Sequence, residues 1–365
     1  MHPETLYAHL LLNQPGLGAA GLLSLHRQFH SFKNILAARA EELPSRSRQP
    51  VIKAQQELPA LQTKAQQAIA ELTQSGVTLL CLSDEAYPTL LRETPSPPPL
   101  LYVRGNITAL SLPTIAIVGS RNASRNGLEH ASRFAATLAA GGFAICSGLA
   151  LGIDGAAHRS ALARGVTVAV IGTGIDRVYP SRHRQLTVDI LANNGVVVSE
   201  FPPGTPPVAS NFPRRNRLIS GLSMGVLVIE AAIKSGSLIT ARLAMEQGRE
   251  VYAIPGSVNN PLAKGCHHLI REGATLTETT DDIITQLGGM LSFKQHEAEQ
   301  NVPSPGLPLS DLARKLLDAM GYDPVDIDTL VEHSSIDIAT LSGLLVELEI
   351  QGLIENRGGF YLRSS

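Results

Sequence analysis

Short, almost unbroken apolar runs alternate with helical patterns through the middle of the chain, and this alternation constrains the fold more than any other feature. The runs are rich in valine and isoleucine, as expected of strands buried on both faces. Strands and helices alternating at this spacing predict an α/β fold with a Rossmann-like, doubly wound parallel sheet over residues 76–290. The strand candidates are TIAIVG, FAICSG, VTVAVIG, GVVVSEF, GVLVIEA and EVYAIPG. The turn-rich passage 84–105, which follows VTLLCL, is interpreted as a lead-in to this sheet.

Small, hydroxylated or charged residues follow most of these strands, at the edge where a doubly wound sheet binds its ligands. Glycines there let backbone N–H groups approach a phosphate, and helix N-termini add partial positive charge. A phosphate-binding crevice is therefore predicted at this edge, with Asp176 and Glu230 expected to shape it or to meet a ribose. Its candidate residues are Gly119, Ser120, Arg121, Gly148, Gly172, Gly174, Lys234, Ser235, Gly236 and Ser237.

The glycine spacing does not match a nucleotide-cofactor fingerprint. GTGIDR supplies the first two glycines of GxGxxG but places Arg177 third, and GxxxxGK[ST] does not occur. Several separate phosphate-binding turns suit a polyanion better than one pyrophosphate, so no cofactor is expected.

Charge is segregated along the chain, although the net charge is only −2. Segments 94–128 and 201–229 contain no Asp or Glu. The second segment includes Phe212 with Arg214, Arg215 and Arg217, in a loop expected to enter a helix. Arginines that contact phosphates beside an aromatic ring that stacks on bases are typical of single-stranded nucleic-acid binding. Two alternatives stay open: Arg121 could instead form a salt bridge to Asp154 or Glu230, and Phe212 could be a core residue.

The sequence offers little for catalysis or for a metal. Asp154 and His158 lie four residues apart on one predicted helix, which favours a structural pair over a general base. The three cysteines are isolated, and no clustered carboxylates or paired histidines suggest a metal site. Without an apolar run long enough to cross a membrane or a signal-peptide pattern, the chain is expected in the cytoplasm.

Two smaller domains are expected to flank the central sheet. Residues 1–75 predict an N-terminal helical module of helix-hairpin-helix or SAM-like type, or a plain αα-hairpin, around PGLG. After a proline-rich linker at 291–309, residues 310–365 predict three helices and a hairpin, which is a C-terminal winged helix. Its third helix, 337–351, contains no Lys or Arg, so this domain is expected to contact protein rather than DNA.

Linked motifs across the central sheet resemble the DprA (Smf) family of bacterial DNA-processing proteins. They are AIVGSRNAS, SGLALGIDGAAH, VIGTGIDRVYP, SEFPPG, FPRRNRLISGLS and EAAIKSGSLITARLAMEQGREVYAIPG. The resemblance implies a homodimeric, non-enzymatic protein that binds single-stranded DNA without sequence preference and loads the RecA recombinase. It also implies DNA contacts by Arg121 and by the segment containing Arg214, Arg215 and Arg217. Whether such a protein serves natural transformation or only recombination is left open.

Two competing functions share the same predicted crevice. One is a nucleotide-binding or nucleotide-hydrolysing enzyme of the lysine-decarboxylase-like Rossmann group, whose PGGxGTxxE signature is missing from the SGSLITA region. The other is a nucleotide-sensing regulatory domain. Affinity for long oligonucleotides without mononucleotide binding would separate DNA binding from both.

Overall fold

The computed structural model describes residues 2–287, 310–321, 324–334, 336–350, 353–357 and 359–363. The chain divides into two compact units, residues 1–299 and 300–365. The boundary predicted near residue 75 falls within the first unit and remains a prediction. Among the described residues, no helix is both long and apolar enough to cross a membrane.

One mostly parallel sheet forms the centre of the first unit. Its order is β1-β2-β6-β5-β4-β3-β7-β8-β9, in which the neighbours from β6 to β9 pair in parallel and β1 and β2 pair antiparallel at one edge. This confirms the Rossmann-like fold. The strands are β1 (Val77–Cys81), β2 (Leu100–Gly105), β3 (Thr114–Gly119), β4 (Ala144–Ser147), β5 (Thr167–Val170), β6 (Val196–Ser199), β7 (Gly225–Ile229), β8 (Glu250–Ala253) and β9 (Thr275–Leu276).

The strand order places a switch point between β3 and β7. From β3 the chain moves through β4 and β5 to β6 on one side, and it then returns to β7 and β8 on the other. Connections that leave two adjacent strands in opposite directions open a crevice at their carboxyl ends. This edge is the one at which the glycine and arginine turns were expected.

Helices cover both faces of the sheet, which explains why its strands are apolar throughout. Ile117 and Leu227 pack into one core cluster, whereas Val118 and Val226 pack into another. Successive strand residues point to opposite faces of the sheet, so a sheet covered on both faces needs apolar residues at every strand position. The helices of the first unit are α1 (Pro3–Leu12), α2 (Gly18–Phe29), α3 (Phe32–Ile35), α4 (Ser45–Gln56), α5 (Leu58–Gln74), α6 (Thr89–Arg92), α7 (Arg125–Ala140), α8 (Ile153–Leu162), α9 (Arg184–Ala192), α10 (Asn211–Gly221), α11 (Gly236–Glu246), α12 (Lys264–Arg271) and α13 (Thr280–Leu287).

The passage 84–105 is more than the lead-in that the sequence suggested. It contains β2, which lies between β1 and β6 and pairs antiparallel with both. The proline-rich stretch before Leu100 hides this strand, because prolines usually mark loops. The N-terminal helices share a core with this edge of the sheet: Leu22 and Phe32 belong to the same cluster as Tyr102.

The second unit contains the three helices and the hairpin expected of a winged helix. Its described helices are α14 (Asp311–Met320), α15 (Ile327–Ser334) and α16 (Ile338–Ile350). Strands β11 (Ile354–Arg357) and β12 (Phe360–Arg363) form the hairpin, and a short strand, β10 (Val325–Asp326), pairs with β12. Leu316, Leu330 and Leu345 contribute to its own core. The predicted linker 291–309 and Gly358 lie outside the described residues.

Candidate functional site

A crevice of about 700 Å³ lies beyond the carboxyl ends of β3 and β7. Three segments predicted from the sequence meet there: the turn after β3, the start of α10 and the start of α11. Of the expected residues, the crevice lining includes Gly119, Ser120, Arg121, Phe212, Arg215, Ser235, Gly236 and Ser237. The remaining ones lie outside this lining: Gly148, Gly172, Gly174, Arg214, Arg217 and Lys234.

The turn after β3 is held tightly against the sheet. A Cβ at Gly119 would overlap the carbonyl oxygen of Ile229 in β7, so only glycine permits this approach of the two strands. The carbonyl of Ser120 accepts a hydrogen bond from the N–H of Ile153 at 3.2 Å, which ties the turn to the start of α8. Arg121 therefore projects from a rigid support.

Arg121 is exposed at the crevice. Its Cζ lies 5.9 Å from the centroid of the Phe212 ring. Within the described part of the chain, its guanidinium forms no hydrogen bond or ion pair, so the alternative of a salt bridge to Asp154 or Glu230 is not observed. A cation in this position can meet an anionic ligand without first breaking an internal pair.

The two carboxylates offered as partners for Arg121 are engaged elsewhere. Asp154 accepts hydrogen bonds from the amides of Gly148, at 3.0 Å, and Ala150, at 3.3 Å. Glu230 accepts from both the amide and the hydroxyl of Ser124, the residue that caps α7. Glu230 has a left-handed backbone, with φ of 53°, which a non-glycine residue rarely adopts. Glu230 therefore fixes the start of α7, and its expected role in shaping the crevice stays a prediction.

Phe212 is half-buried and serves both packing and the crevice. Its ring lies 5.5 Å from the ring of Tyr179, measured between centroids, with the planes tilted by 43°. It also packs over Gly172, where an added Cβ would come 3.0 Å from the ring. Tyr179 is 46% exposed and lines the crevice, but the sequence analysis did not select it. The one sequence feature that could have indicated Tyr179 is its position shortly after the glycine-rich end of a strand.

The three arginines of α10 point in two directions, Arg215 toward strand-end carbonyls and the other two toward Glu200. The helix begins at Asn211, earlier than expected, and successive helical residues are rotated by about 100°. The Arg215 side chain is buried and donates to the carbonyls of Gly148, at 2.6 Å, and Val170. Burial lowers the pKa of Arg215 to about 10, while the Asp154 carboxylate opposes this shift. Arg215 therefore braces two strand ends at the crevice, and its expected contact with DNA stays a prediction.

Arg214 and Arg217 share one buried carboxylate. Glu200, at the end of β6, accepts from Nη2 of Arg214 at 2.9 Å and from Nη2 of Arg217. The Glu200 side chain is only 1% exposed. Segment 201–229 lacks acids, yet the residue immediately before it neutralises part of the basic cluster. The sequence analysis missed this pairing because it counted charge within the segment.

The glycines at the ends of β4 and β5 serve packing. A Cβ at Gly148 would overlap the guanidinium of Arg215, and one at Gly174 would lie 2.7 Å from the carbonyl oxygen of Pro202. The amide of Gly148 donates to Asp154, and that of Gly174 donates to the carbonyl of Thr205 at 3.0 Å. Both amides thus donate within the protein, and the expectation that these glycines contact phosphate stays a prediction.

The N-terminus of α11 faces the crevice. Ser235 caps the helix through a hydrogen bond from the amide of Ser237 at 3.2 Å, and the two hydroxyls bond to each other. Lys234, just before the cap, is exposed and forms no ion pair within the described residues. A helix N-terminus attracts anions, so this segment adds to the positive potential of Arg121.

Asp154 and His158 do not form the pair suggested by their spacing. His158 is fully buried, and its Nδ1 lies 2.6 Å from Oγ1 of Thr167. Burial, with help from the nearby His183 and Arg215, lowers the pKa of His158 to about 3. Asp154 is buried too, and burial raises its pKa. Among the described residues, no group of three or more His, Cys, Asp or Glu side chains could hold a metal ion.

Comparison with known proteins identifies the family of this fold and crevice. A family model described as DNA recombination-mediator protein A matches residues 78–288, which is more than half of the chain. The chain belongs to the DprA family. A second model, the DprA winged helix domain, matches residues 300–359 of this DprA-family protein.

Curated relatives agree with this assignment. Protein Smf of Escherichia coli (strain K12) is 42% identical over 298 residues, which are 80% of this chain and 79% of the relative. DNA processing protein DprA of Streptococcus pneumoniae (strain ATCC BAA-255 / R6) is 47% identical over 204 residues, covering 56% of this chain and 72% of the relative. The DprA-family protein is thus similar to DNA-processing proteins over most of its length.

Solved DprA structures share the fold. The X-ray structure of DprA from Streptococcus pneumoniae matches with a TM-score of 0.66 and 34% identity, over 77% of this chain and 97% of that one. DNA processing protein A from Helicobacter pylori matches with a TM-score of 0.53 and 30% identity, over 58% and 96%. The Helicobacter structure is described for its single-stranded DNA binding mode.

Proposed function

We propose that this DprA-family protein binds single-stranded DNA without sequence preference and delivers the strand to the RecA recombinase during transformation or recombination. The observation that carries the DNA-binding part is the exposed guanidinium of Arg121, which forms no ion pair with any residue that the structure describes and sits beside an accessible aromatic ring. The relative from Helicobacter pylori, a single-stranded DNA binder, supports the same interpretation.

The phosphate backbone of the strand lies across the crevice at two points. Arg121 contacts one phosphate, and a charged guanidinium can donate two parallel hydrogen bonds to it. Lys234 and the N-terminus of α11 contact the next phosphate, where the Ser235 and Ser237 hydroxyls are available as donors. Such contacts follow the sugar-phosphate backbone, so they do not depend on base identity.

The aromatic pair of Phe212 and Tyr179 receives a base. Both rings line the crevice, and the guanidinium of Arg121 lies over the Phe212 ring. Stacking on an aromatic ring tolerates every base, because each base has a π-face. Backbone contacts combined with stacking give affinity for single strands, since the bases of a duplex are not free to enter.

In this proposal the protein acts by binding rather than by catalysis. The buried carboxylate of Asp154 accepts hydrogen bonds from two backbone amides, and His158 lies outside the crevice lining. Asp154 lines the crevice, and in this proposal it orders the turn after β4 rather than activating water. Phosphate contacts by side chains and amides need no cofactor.

The RecA and homodimer parts of the proposal are supported by membership of the DprA family. Helix α11 presents Ile239 and Met245, which are 41% and 37% exposed, while Ala241 and Ala244 of the same helix are buried. The exposed pair is the candidate for contact with a second copy, next to the crevice. Light scattering coupled to size exclusion measures the dimer directly, and a monomer at all concentrations would contradict this part.

The test of the central claim is fluorescence anisotropy with a labelled oligothymidine of about 30 nucleotides, titrated at several salt concentrations. Unlabelled duplex and AMP serve as competitors. We expect the single strand to outcompete the duplex and log affinity to fall steeply with log salt, because bound phosphates release counterions. Competition by AMP, with no binding of the oligonucleotide, would instead favour the nucleotide-binding enzyme.

The RecA step needs its own assay. RecA-dependent ATP hydrolysis is followed on single-stranded DNA that is already coated with a single-strand binding protein. We expect the DprA-family protein to shorten the lag before hydrolysis, and the Arg121→Ala variant to lose this effect. An unchanged lag with the wild-type protein would contradict the loading function while leaving DNA binding intact.

A further inference from the structure

Helix α10 separates two concave surfaces of the first unit. On one side, Phe212 and Arg215 line the crevice. On the other side, Arg214 and Arg217 line a second groove of about 430 Å³. The start of α2, at Gly18, and the prolines 97–99 form its opposite wall. The basic cluster therefore faces away from the crevice, toward this groove.

Glu200 sets the charge of that groove. Its carboxylate has one oxygen, Oε2, that accepts from both Arg214 and Arg217. The other oxygen, Oε1, is buried and has no hydrogen-bond partner within the described residues. Two guanidinium groups share one carboxylate, so the cluster has a net charge of about +1 rather than +2.

The two arginines are not held equally. The Arg217 side chain is 16% exposed and also donates to the carbonyl of Ser96, which fixes it in the wall of the groove. Arg214 is 47% exposed, and its Cζ lies 5.2 Å from the centroid of the Phe201 ring. Of the two, Arg214 can leave Glu200 and reach a ligand in the groove.

We propose that Glu200 is a positioning residue that limits the affinity of this protein for single-stranded DNA, because it holds Arg214 back from the phosphates. This inference rests on the proposed function. A strand that leaves the crevice over α10 passes Arg214, where each phosphate competes with a carboxylate 2.9 Å from the guanidinium. Because the Glu200 carboxylate is buried, separating Arg214 from it costs free energy, and this cost cancels most of the gain from that phosphate contact.

The experiment replaces Glu200 with glutamine, which keeps the size and one acceptor oxygen for Arg217. We expect Glu200→Gln to bind oligothymidine about three- to tenfold more tightly near 0.1 M salt, with a log–log salt slope steeper by about 0.7. Glu129→Gln is the matched control, because it also removes one carboxylate from an arginine pair, the exposed Arg125–Glu129 pair of α7. An equal gain in both variants would overturn the inference, since the change in net charge alone would explain it.

A double-mutant cycle shows whether Glu200 acts through Arg214. Arg214→Ala is expected to weaken binding by less than about twofold in the wild-type background, because the carboxylate already neutralises it. In the Glu200→Gln background the same substitution should remove the whole gain. A gain that persists without Arg214 would overturn the inference.

Folding and the proposed function are controlled separately. Thermal unfolding followed by circular dichroism establishes that Glu200→Gln is folded. If Glu200→Gln does not fold, the salt dependence of the Arg214→Ala variant still tests the inference. A log–log salt slope shallower than that of the wild type by about 0.7 would contradict it. If the wild-type protein fails to bind single strands, the proposed function fails; if it binds and Glu200→Gln does not differ, only the inference about Glu200 fails.

Discussion

The guanidinium of Arg121 lies over the ring of Phe212, with 5.9 Å between Cζ and the ring centroid. One residue comes from the turn after β3 and the other from the first turn of α10, 91 positions later in the chain. The contact joins a charge that can meet a phosphate to a ring that can meet a base. A nucleotide unit contains both groups, so this pair defines the centre of the proposed site.

Replacing Arg121 with alanine tests the phosphate contact. We expect the affinity for oligothymidine to fall about 10- to 150-fold, because a hydrogen bond to a charged group contributes about 1.5–3 kcal/mol. The salt slope should become shallower by about 0.7. Arg133→Ala on α7 is the control, since Arg133 is exposed but lies outside the crevice lining. Equal losses in both variants would show that only overall charge matters.

Replacing Phe212 with alanine tests the stacking contact. Loss of one stacked base costs about 1–3 kcal/mol, so binding should weaken by roughly 5- to 150-fold, whereas Phe212→Tyr should retain affinity. Anisotropy is measured with oligothymidine and with an abasic strand of the same length. The abasic strand should show little difference between wild type and Phe212→Ala. A comparable loss on both strands would mean that the substitution acts by disturbing the crevice.

Two glycines of the predicted phosphate turns should respond in opposite ways to alanine. At Gly119 the new Cβ would overlap the carbonyl oxygen of Ile229, so we expect destabilisation of about 3 kcal/mol or an insoluble product. At Gly236 nothing lies within 4 Å of the new Cβ, and the residue begins α11, so stability should rise by up to about 1 kcal/mol. Chemical denaturation measures both. A stable Gly119→Ala protein would contradict the close approach of β3 and β7.

The buried His158 should make the protein less stable in acid. Its pKa is lowered from 6.5 to about 3, so below pH 6.5 the unfolded chain binds a proton that the folded chain does not. Stability therefore falls as the pH falls below 6.5, by about 2–3 kcal/mol at pH ~4.5 from this residue alone. His158→Asn retains a donor toward Thr167 and removes the titration. The free energy of unfolding, measured with urea between these pH values, should depend less on pH in this variant than in the wild type. An identical pH dependence would contradict the lowered pKa of His158.

Shortening the chain to residue 299 tests the role of the winged helix. In DNA-binding winged helices the third helix enters the major groove and carries basic residues. Here α16 exposes Ile338 and Val346, and residues 316–356 contain no Lys or Arg. We expect the truncated protein to bind oligothymidine within about twofold of the full chain, since it keeps every proposed phosphate contact. A loss of tenfold or more would show that this unit contacts DNA.

Apolar periodicity predicted the parallel part of the sheet and its helices, because strands buried on both faces must be apolar along their whole length. It did not reveal β2, since the prolines before Leu100 resemble a loop and one of its two antiparallel partners, β6, is far away in the chain. The position of Arg121 followed from the rule that strand ends form ligand sites. The position of Tyr179 in the site could not be predicted in this way, because a single aromatic residue forms no periodic pattern.

The sequence by itself determined the fold class, the edge of the sheet at which the site forms, and the excess of arginine there. Only the tertiary structure decided what each arginine does. The sequence gives no reason to distinguish Arg214, Arg215 and Arg217, but the helix directs Arg215 to strand-end carbonyls and the other two to Glu200. Arg121 has no such partner in the described part of the chain. The reason is that periodicity and composition are local properties of the chain. Whether a charge is free depends on which distant carboxylate or carbonyl the fold brings within about 3 Å of it.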